Sequence, residues 1–173
     1  MEFSIESFTD ANILSEFTCG LQQMDDFIHH ELQSYLDNGN LAYCVRNLDD
    51  NEIIAFFVVA LDTEIIIDDD SQDDLKTIYN VNIEQEKYQS LEIEYLAVLN
   101  KYQKQGVGKA CLNFICENYS IFFPNKDIDL ITVSAYKSAQ YSTTMFYYKC
   151  NFSQLEDFNP NSDTLRMYKP IEP

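Results

Sequence analysis

The sequence predicts a mixed α/β fold in which helices cover a largely central sheet. Three observations carry this expectation. Residues 2–8 alternate apolar and polar, the period of a strand with one buried face. From about Gly20, Leu21, Met24, Phe27, Ile28, Leu32, Tyr35 and Leu36 recur at three- and four-residue spacings, the period of an amphipathic helix. Further on, a strand-like run from Leu91 to Val98 leads through a short polar turn into a helix that opens on Gly106 and Gly108.

The remaining elements follow in order. Asn38-Gly39-Asn40 ends the first helix. Strands near 41–48 and 52–62 are joined by Asn47-Leu48-Asp49-Asp50-Asn51, a hairpin turn by composition. The segment 63–88 is the least readable. Its acidic centre, residues 68–74, lacks the glycine that a calcium loop requires, so it reads as a solvated loop. Past the glycine turn, Val107, Ala110, Cys111, Phe114 and Ile115 keep one helical face. Ile128 to Ser134 reads as a strand, residues around 137–150 as a helix, and Phe152 to Leu155 and Leu165 to Tyr168 as two closing strands. The order is β-α-β-β-loop-β-α-β-α-β-β, with no linker or repeat, and 1–173 is expected to be a single domain.

Apolar residues make up 46% of the 173, enough for a sizeable core and against disorder. The net charge of −18 opposes binding to nucleic acid and anionic membranes, and would draw in cationic partners or simply serve solubility. Five scattered cysteines, an odd number with no C-x-x-C pair, point to free thiols in a reducing compartment rather than to a disulfide framework or a metal site. Cys111 and Cys116 fall on a helix and are expected to pack in the core, whereas His29 and His30 are expected at the surface. The start resembles no signal peptide and no apolar run could span a bilayer, so a soluble cytoplasmic protein is expected.

The chain has only four glycines, and Gly106 and Gly108 stand one residue apart at the start of a helix. Glycine lets the backbone approach a bulky ligand, and free N–H groups at a helix start can cradle phosphate oxygens. The turn is no dinucleotide fingerprint, because Cys111 stands where the third glycine belongs. Nor is it a P-loop, because Gln103 and Ala110 replace the required glycine and Ser/Thr. What remains is Q-x-x-G-x-G, directly after a strand and opening an amphipathic helix. With the strand Glu92-Ile93-Glu94-Tyr95-Leu96-Ala97-Val98 before it and Phe146-Tyr147-Tyr148-Lys149-Cys150-Asn151-Phe152 after it, this resembles the acetyl-coenzyme A signature and the late F-Y-x-K-x-G-F element of the GNAT superfamily of N-acetyltransferases. A narrower similarity links Phe17-Thr18-Cys19-Gly20 and Met24-Asp25-Asp26-Phe27-Ile28 to the opening of the superfamily's toxin–antitoxin-related branch.

The resemblance implies a central, mostly antiparallel, twisted sheet, splayed at the cofactor strand, with helices on both faces. It implies acetyl-coenzyme A as co-substrate. The backbone of Leu96, Ala97 and Val98 would run along the pantetheine arm, with the Leu96 N–H polarising the thioester carbonyl. The diphosphate would lie on the N–H groups of Gln105, Gly106, Val107, Gly108 and Lys109, with the Gln103 side chain supporting the loop. Lys101, Lys104 and Lys109 make a local positive island in an acidic chain. Glu92 aligns with the general base of protein-lysine acetylating relatives. Glu94, two residues on, shares its face of the strand, so two neighbouring acids could shift one toward a basic role, or both could be solvated. Tyr147 falls where relatives carry the tyrosine that protonates the departing thiolate, and packing is its other reading. Asn151 stands in place of the usual glycine, and asparagine tolerates the positive φ that such a turn needs.

The function so implied is transfer of an acetyl group to a primary amine of a cationic acceptor, a small molecule or a protein, by direct attack in a ternary complex. Two alternatives stand beside it. One is a toxin-like acetyltransferase of aminoacyl-transfer RNA with an antitoxin-like partner, a reading the acidic charge opposes. The other is an acyl-coenzyme A-binding sensor without catalysis. A homodimer also stays open.

Overall fold

The computed structural model describes residues 2–65, 88–137, 142–155 and 161–171, with side chains of 62–65 excepted. The acidic run 68–74 lies outside the described residues. Among the described residues the fold is mixed α/β with a seven-stranded, mostly antiparallel sheet. The chain divides into two compact units, Met1–Ala60 with Glu94–Glu117, and Leu61–Ile93 with Asn118–Pro173.

In the first unit β1 (Phe3–Phe8) pairs antiparallel with β2 (Leu41–Asn47), which pairs antiparallel with β3 (Ile53–Ile65). The β2–β3 turn works as its composition implies. Asn51 takes φ +63, its N–H donates to the Asn47 carbonyl at 2.9 Å, and the Asn47 amide donates to Asp50 Oδ1 at 2.8 Å. From Ile54 to Val59 every residue of β3 is fully buried, the mark of a strand covered on both faces. Phe56 meets the edge of Phe17, while its neighbour Phe57 stacks on Tyr43 and tilts against Phe114.

The expected first helix is two helices, α1 (Gln22–His30) and α2 (Leu32–Asp37). They break at Glu31, whose φ of −118° departs from helical geometry. The apolar face runs on across the break: Met24, Phe27 and Ile28 are buried from α1, Leu32 and Leu36 from α2. His29 and His30 are exposed. The helix α3 (Val107–Glu117) buries Val107, Cys111, Leu112 and Ile115, and burial pushes the Cys111 thiol up to about 12.

Strand β4 (Tyr88–Val98) begins three residues before the apolar run. Its first half belongs to the second unit, where it pairs in parallel with β5 (Leu130–Tyr136) from Ser90↔Leu130 to Ile93↔Val133. Ser90 and Thr132, both buried, pair their hydroxyls at 3.3 Å. A short helix α4 (Tyr119–Phe122) precedes β5. Beyond it, β6 (Ser153–Gln154) and β5 both pair antiparallel with β7 (Thr164–Pro170).

Among the described residues, the helix expected over 137–150 is found as α5 (Thr144–Lys149). Ahead of it the backbone is engaged elsewhere: Lys137 bridges Ser142, and the Thr143 N–H donates to the Tyr136 carbonyl at 2.8 Å. Residues 138–141 lie outside the described residues.

Candidate functional site

The turn between β4 and α3 is built by its own backbone. A 3-10 turn over Asn100–Tyr102 follows β4. Lys104 then takes φ +59 and Gly106 φ +90. Gly106 acts as the last residue before the helix, its carbonyl accepting the Ala110 N–H at 3.0 Å. Among the described residues, no partner occupies the N–H groups of Gln105, Gly106, Val107, Gly108 or Lys109, the orphan donors of a helix start. A Cβ at Gly106 would meet nothing within 4 Å, so the turn faces open space, and its φ alone demands glycine.

Gln103 braces this turn. Its amide nitrogen donates to the Cys19 carbonyl at 2.7 Å and to the Val98 carbonyl at 3.1 Å. One side chain thus ties the N-terminal loop to the end of β4. Gln105 adds a bond from its amide to the Lys101 carbonyl at 2.7 Å. The positive island is divided. Lys101 pairs with Glu52 at 2.8 Å, next to the Tyr102 hydroxyl bonded to the same carboxylate at 3.0 Å. Lys104 and Lys109 are exposed, and no ion pair is described for either. An open glycine turn whose N–H groups have no partner among the described residues, with two exposed lysines in the same stretch of chain, suits a phosphate-bearing anion.

The Phe17–Ile28 opening has a structural job that its sequence did not reveal. Asp25 accepts the Thr18 hydroxyl at 2.6 Å and the Cys19 N–H at 2.8 Å. Burial opposes its charge, but bonds from Thr18, Cys19 and Gly20 prevail and hold the carboxyl below the usual range. Gly20 sits at φ +82, where a Cβ would stand 3.4 Å from the Asn100 side chain. The Asn100 N–H in turn donates to the Thr18 carbonyl at 3.0 Å. The loop that Asp25 folds is therefore the loop that Gln103 grips. Only the charge and position of Asp25 hinted at this.

The expected carboxylates have separate partners. Glu92 Oε2 lies 3.8 Å from the Arg166 guanidinium, both side chains partly exposed. Glu94 accepts the hydroxyl of Tyr35, a residue the sequence presented only as part of a helical face. Leu96 and Val98 are half-buried and Ala97 is buried.

Tyr147 is buried on α5, its ring edge-on to Phe146 at 5.1 Å and to Phe152 at 5.4 Å. Behind it the chain closes a Schellman cap: Phe152 N–H to the Tyr147 carbonyl at 3.1 Å, Asn151 N–H to the Tyr148 carbonyl at 3.1 Å. Asn151 takes φ +65, so it serves where glycine was expected. Among the described residues no cluster of three or more His, Cys, Asp or Glu could hold a metal, and no helix is long and apolar enough to cross a membrane.

Residues 10–152 match the Acetyltransferase (GNAT) family. No curated protein matches in sequence. Among solved structures, a bacterial toxin superposes with a TM-score of 0.76 at 17% identity, covering 98% of this chain and 91% of that one. AtaT complexed with acetyl-methionyl-tRNAfMet gives 0.73 at 18% identity, over 98% and 95%. A tyrosine-to-phenylalanine mutant of the AtaT toxin, bound to the C-terminus of the antitoxin AtaR and to acetyl-CoA, gives 0.65 at 16% identity, over 99% and 94%.

Proposed function

The chain belongs to the acetyltransferase (GNAT) family, and from that premise we propose that it transfers the acetyl group of acetyl-coenzyme A to a primary amine on a cationic acceptor. The observation that carries this is the glycine turn: five unengaged N–H groups at the start of α3, opened by Gly106 at φ +90 and braced by Gln103. These donors would hold the diphosphate of the co-substrate, with Lys104 and Lys109 beside it. Bound there, acetyl-coenzyme A supplies an activated thioester.

The chain's own residues supply the rest. The backbone of Leu96 to Val98 binds the arm, and the Leu96 N–H polarises the carbonyl. An amine attacks only when neutral, whereas alkylamines are mostly protonated near pH 7. A carboxylate must therefore take a proton. Of the two candidates, Glu92 is ion-paired with Arg166, while Glu94 is held by a neutral phenol and half-exposed, so Glu94 is the better receiver. The Tyr147 hydroxyl returns a proton to the departing sulfur.

The test is thiol release from acetyl-coenzyme A across a panel of amines, with Tyr147→Phe alongside. Tyr147→Phe keeps the ring that packs on Phe146 and Phe152, so turnover should drop by about 10-fold or more with the fold intact by circular dichroism. No turnover with any amine would leave acyl-coenzyme A sensing as the better reading.

A second reading follows from the structural likenesses: acetylation of an aminoacyl-transfer RNA, with an antitoxin-like partner protein. The toxin folds of the similar structures and the Phe17–Ile28 opening favour it, and the charge of −18 opposes it. Growth arrest on induction with acetylation of charged transfer RNA would support it. Harmless overexpression, with polyamines or peptides as the better acceptors, would remove it.

A further inference from the structure

We propose that Tyr35 is a positioning residue for the acceptor: its phenol holds the Glu94 carboxylate in the orientation that receives a primary alkylammonium, and its ring, with that of Tyr95, forms the wall against which the alkyl chain lies. This deepens the acetyltransferase reading above and rests on it.

Tyr35 and Glu94 are 59 residues apart in sequence, so their bond is made by the fold and not by any local motif. The ring of Tyr35 has little freedom. It meets the edges of Phe27 and Tyr95, each at 5.7 Å, and those two rings stack on each other at 3.8 Å and 10°. Its backbone is held as well, the N–H donating to the Glu31 carbonyl at 3.1 Å and the carbonyl accepting the Asn40 side chain at 2.8 Å. A phenol fixed in this way fixes the carboxylate it bonds.

The bond engages Oε2 of Glu94. An ionised carboxylate has about four acceptor positions, so most remain for a ligand. Glu94, Tyr35 and Tyr95 are all half-exposed, whereas Phe27 is buried behind them. A carboxylate flanked by partly exposed aromatic faces attracts an ammonium twice, by charge and by the ring quadrupole. Glu94 also precedes Leu96 by two residues, about 7 Å along an extended strand, within a water-bridged reach of a group held at the Leu96 N–H. Glu92 by contrast is paired with the Arg166 guanidinium, which would repel an incoming cation.

The test is a calorimetric titration of the intact protein with spermidine, with and without saturating coenzyme A, repeated for Tyr35→Phe, Glu94→Gln and the double variant. Wild type should bind spermidine saturably. Tyr35→Phe should weaken that binding about 5- to 10-fold and raise KM for the amine more than it lowers kcat, leaving coenzyme A affinity and melting temperature as they were. Glu94→Gln should abolish binding, and the double variant should be no worse than Glu94→Gln alone, since Tyr35 acts through that carboxylate. Absent spermidine binding, a wild-type Tyr35→Phe, or a Tyr35 effect that adds to that of Glu94→Gln would each overturn the proposal. Loss of coenzyme A binding with spermidine binding kept would instead sink the acetyltransferase reading and leave the ammonium site standing.

Discussion

The two halves of β4 carry the same kind of sequence and meet different fates. In Tyr88–Ile93, buried residues dominate and the backbone is laddered to β5 up to Ile93↔Val133. The one acid there, Glu92, is compensated by Arg166 at 3.8 Å. In the second half Glu94, Tyr95 and Leu96 are half-exposed in succession, breaking the alternation, and the acid is held by a phenol. The end of this half is fastened by a side chain, Gln103 on the Val98 carbonyl, and by the Leu99 N–H on the Ile54 carbonyl at 2.8 Å. The first half is laddered into sheet, whereas the second leaves Glu94, Tyr95 and Leu96 half-exposed. Spacing within Glu92-Ile93-Glu94 makes the two acids look equivalent, but their tertiary partners make them unlike.

The sharpest way to break this contrast is to neutralise each acid in turn. Glu94→Gln should lower kcat/KM for a cationic amine about 100-fold or more, the scale of a lost general base. Glu92→Gln should cost less than about 10-fold, with up to about 1 kcal/mol of stability from a partly exposed ion pair. Steady-state kinetics on both variants decides it, and the reverse ranking would restore Glu92 as the receiver of the proton.

The next largest effect belongs to the turn that follows the second half. Gly106→Val puts its Cβ in open space but must hold a β-branched residue at φ +90, a strain of about 1–2 kcal/mol or more. If the turn relaxes away from that conformation, acetyl-coenzyme A affinity should fall about 10-fold with the fold intact by circular dichroism. Unchanged affinity would mean that the N–H groups of the turn bind nothing.

Gln103→Ala tests the brace. It leaves the Cys19 and Val98 carbonyls without their donor and should cost about 1–2 kcal/mol in urea unfolding. A loss below about 0.3 kcal/mol would show that the loop and the strand end hold without it.

The smallest effect is one of pH. The folded carboxyl of Asp25 lies below its ordinary value, so its contribution is present above the unfolded value near about 3.9 and is lost as pH falls through the folded value. The melting-temperature gap between wild type and Asp25→Asn should therefore be constant near neutrality and close below about pH 4. A gap that widens in acid would reverse the assignment.

Much of the element order was legible because its signals are local. Asn47 to Asn51 is a turn by composition, and Asn51 adopts the positive φ such turns use. Asparagine tolerates the positive φ that the turn at position 151 needs, and Asn151 takes φ +65. The apolar face of α3 was written in its spacing. What stayed hidden depends on partners distant in sequence. Nothing in the sequence around Lys137 and Ser142 announces the bridge between them, so the expected helix starts later among the described residues. The break at Glu31 carries no glycine or proline, and the apolar spacing runs through it, so only the Glu31 backbone, at φ −118, shows it. Likewise Tyr35 is one apolar position among several until the fold brings it to Glu94. Lys104 at φ +59 is a strained lysine in the β4–α3 turn, a conformation that residue type would argue against.

The central claim is that the β4–α3 turn receives acetyl-coenzyme A. Calorimetric titration of the purified protein with acetyl-coenzyme A, with NAD and ATP as controls, tests it most directly. Saturable binding of acetyl-coenzyme A alone, weakened by Gly106→Val, is the predicted result. Failure to bind acetyl-coenzyme A, or equal binding of all three nucleotides, would contradict it.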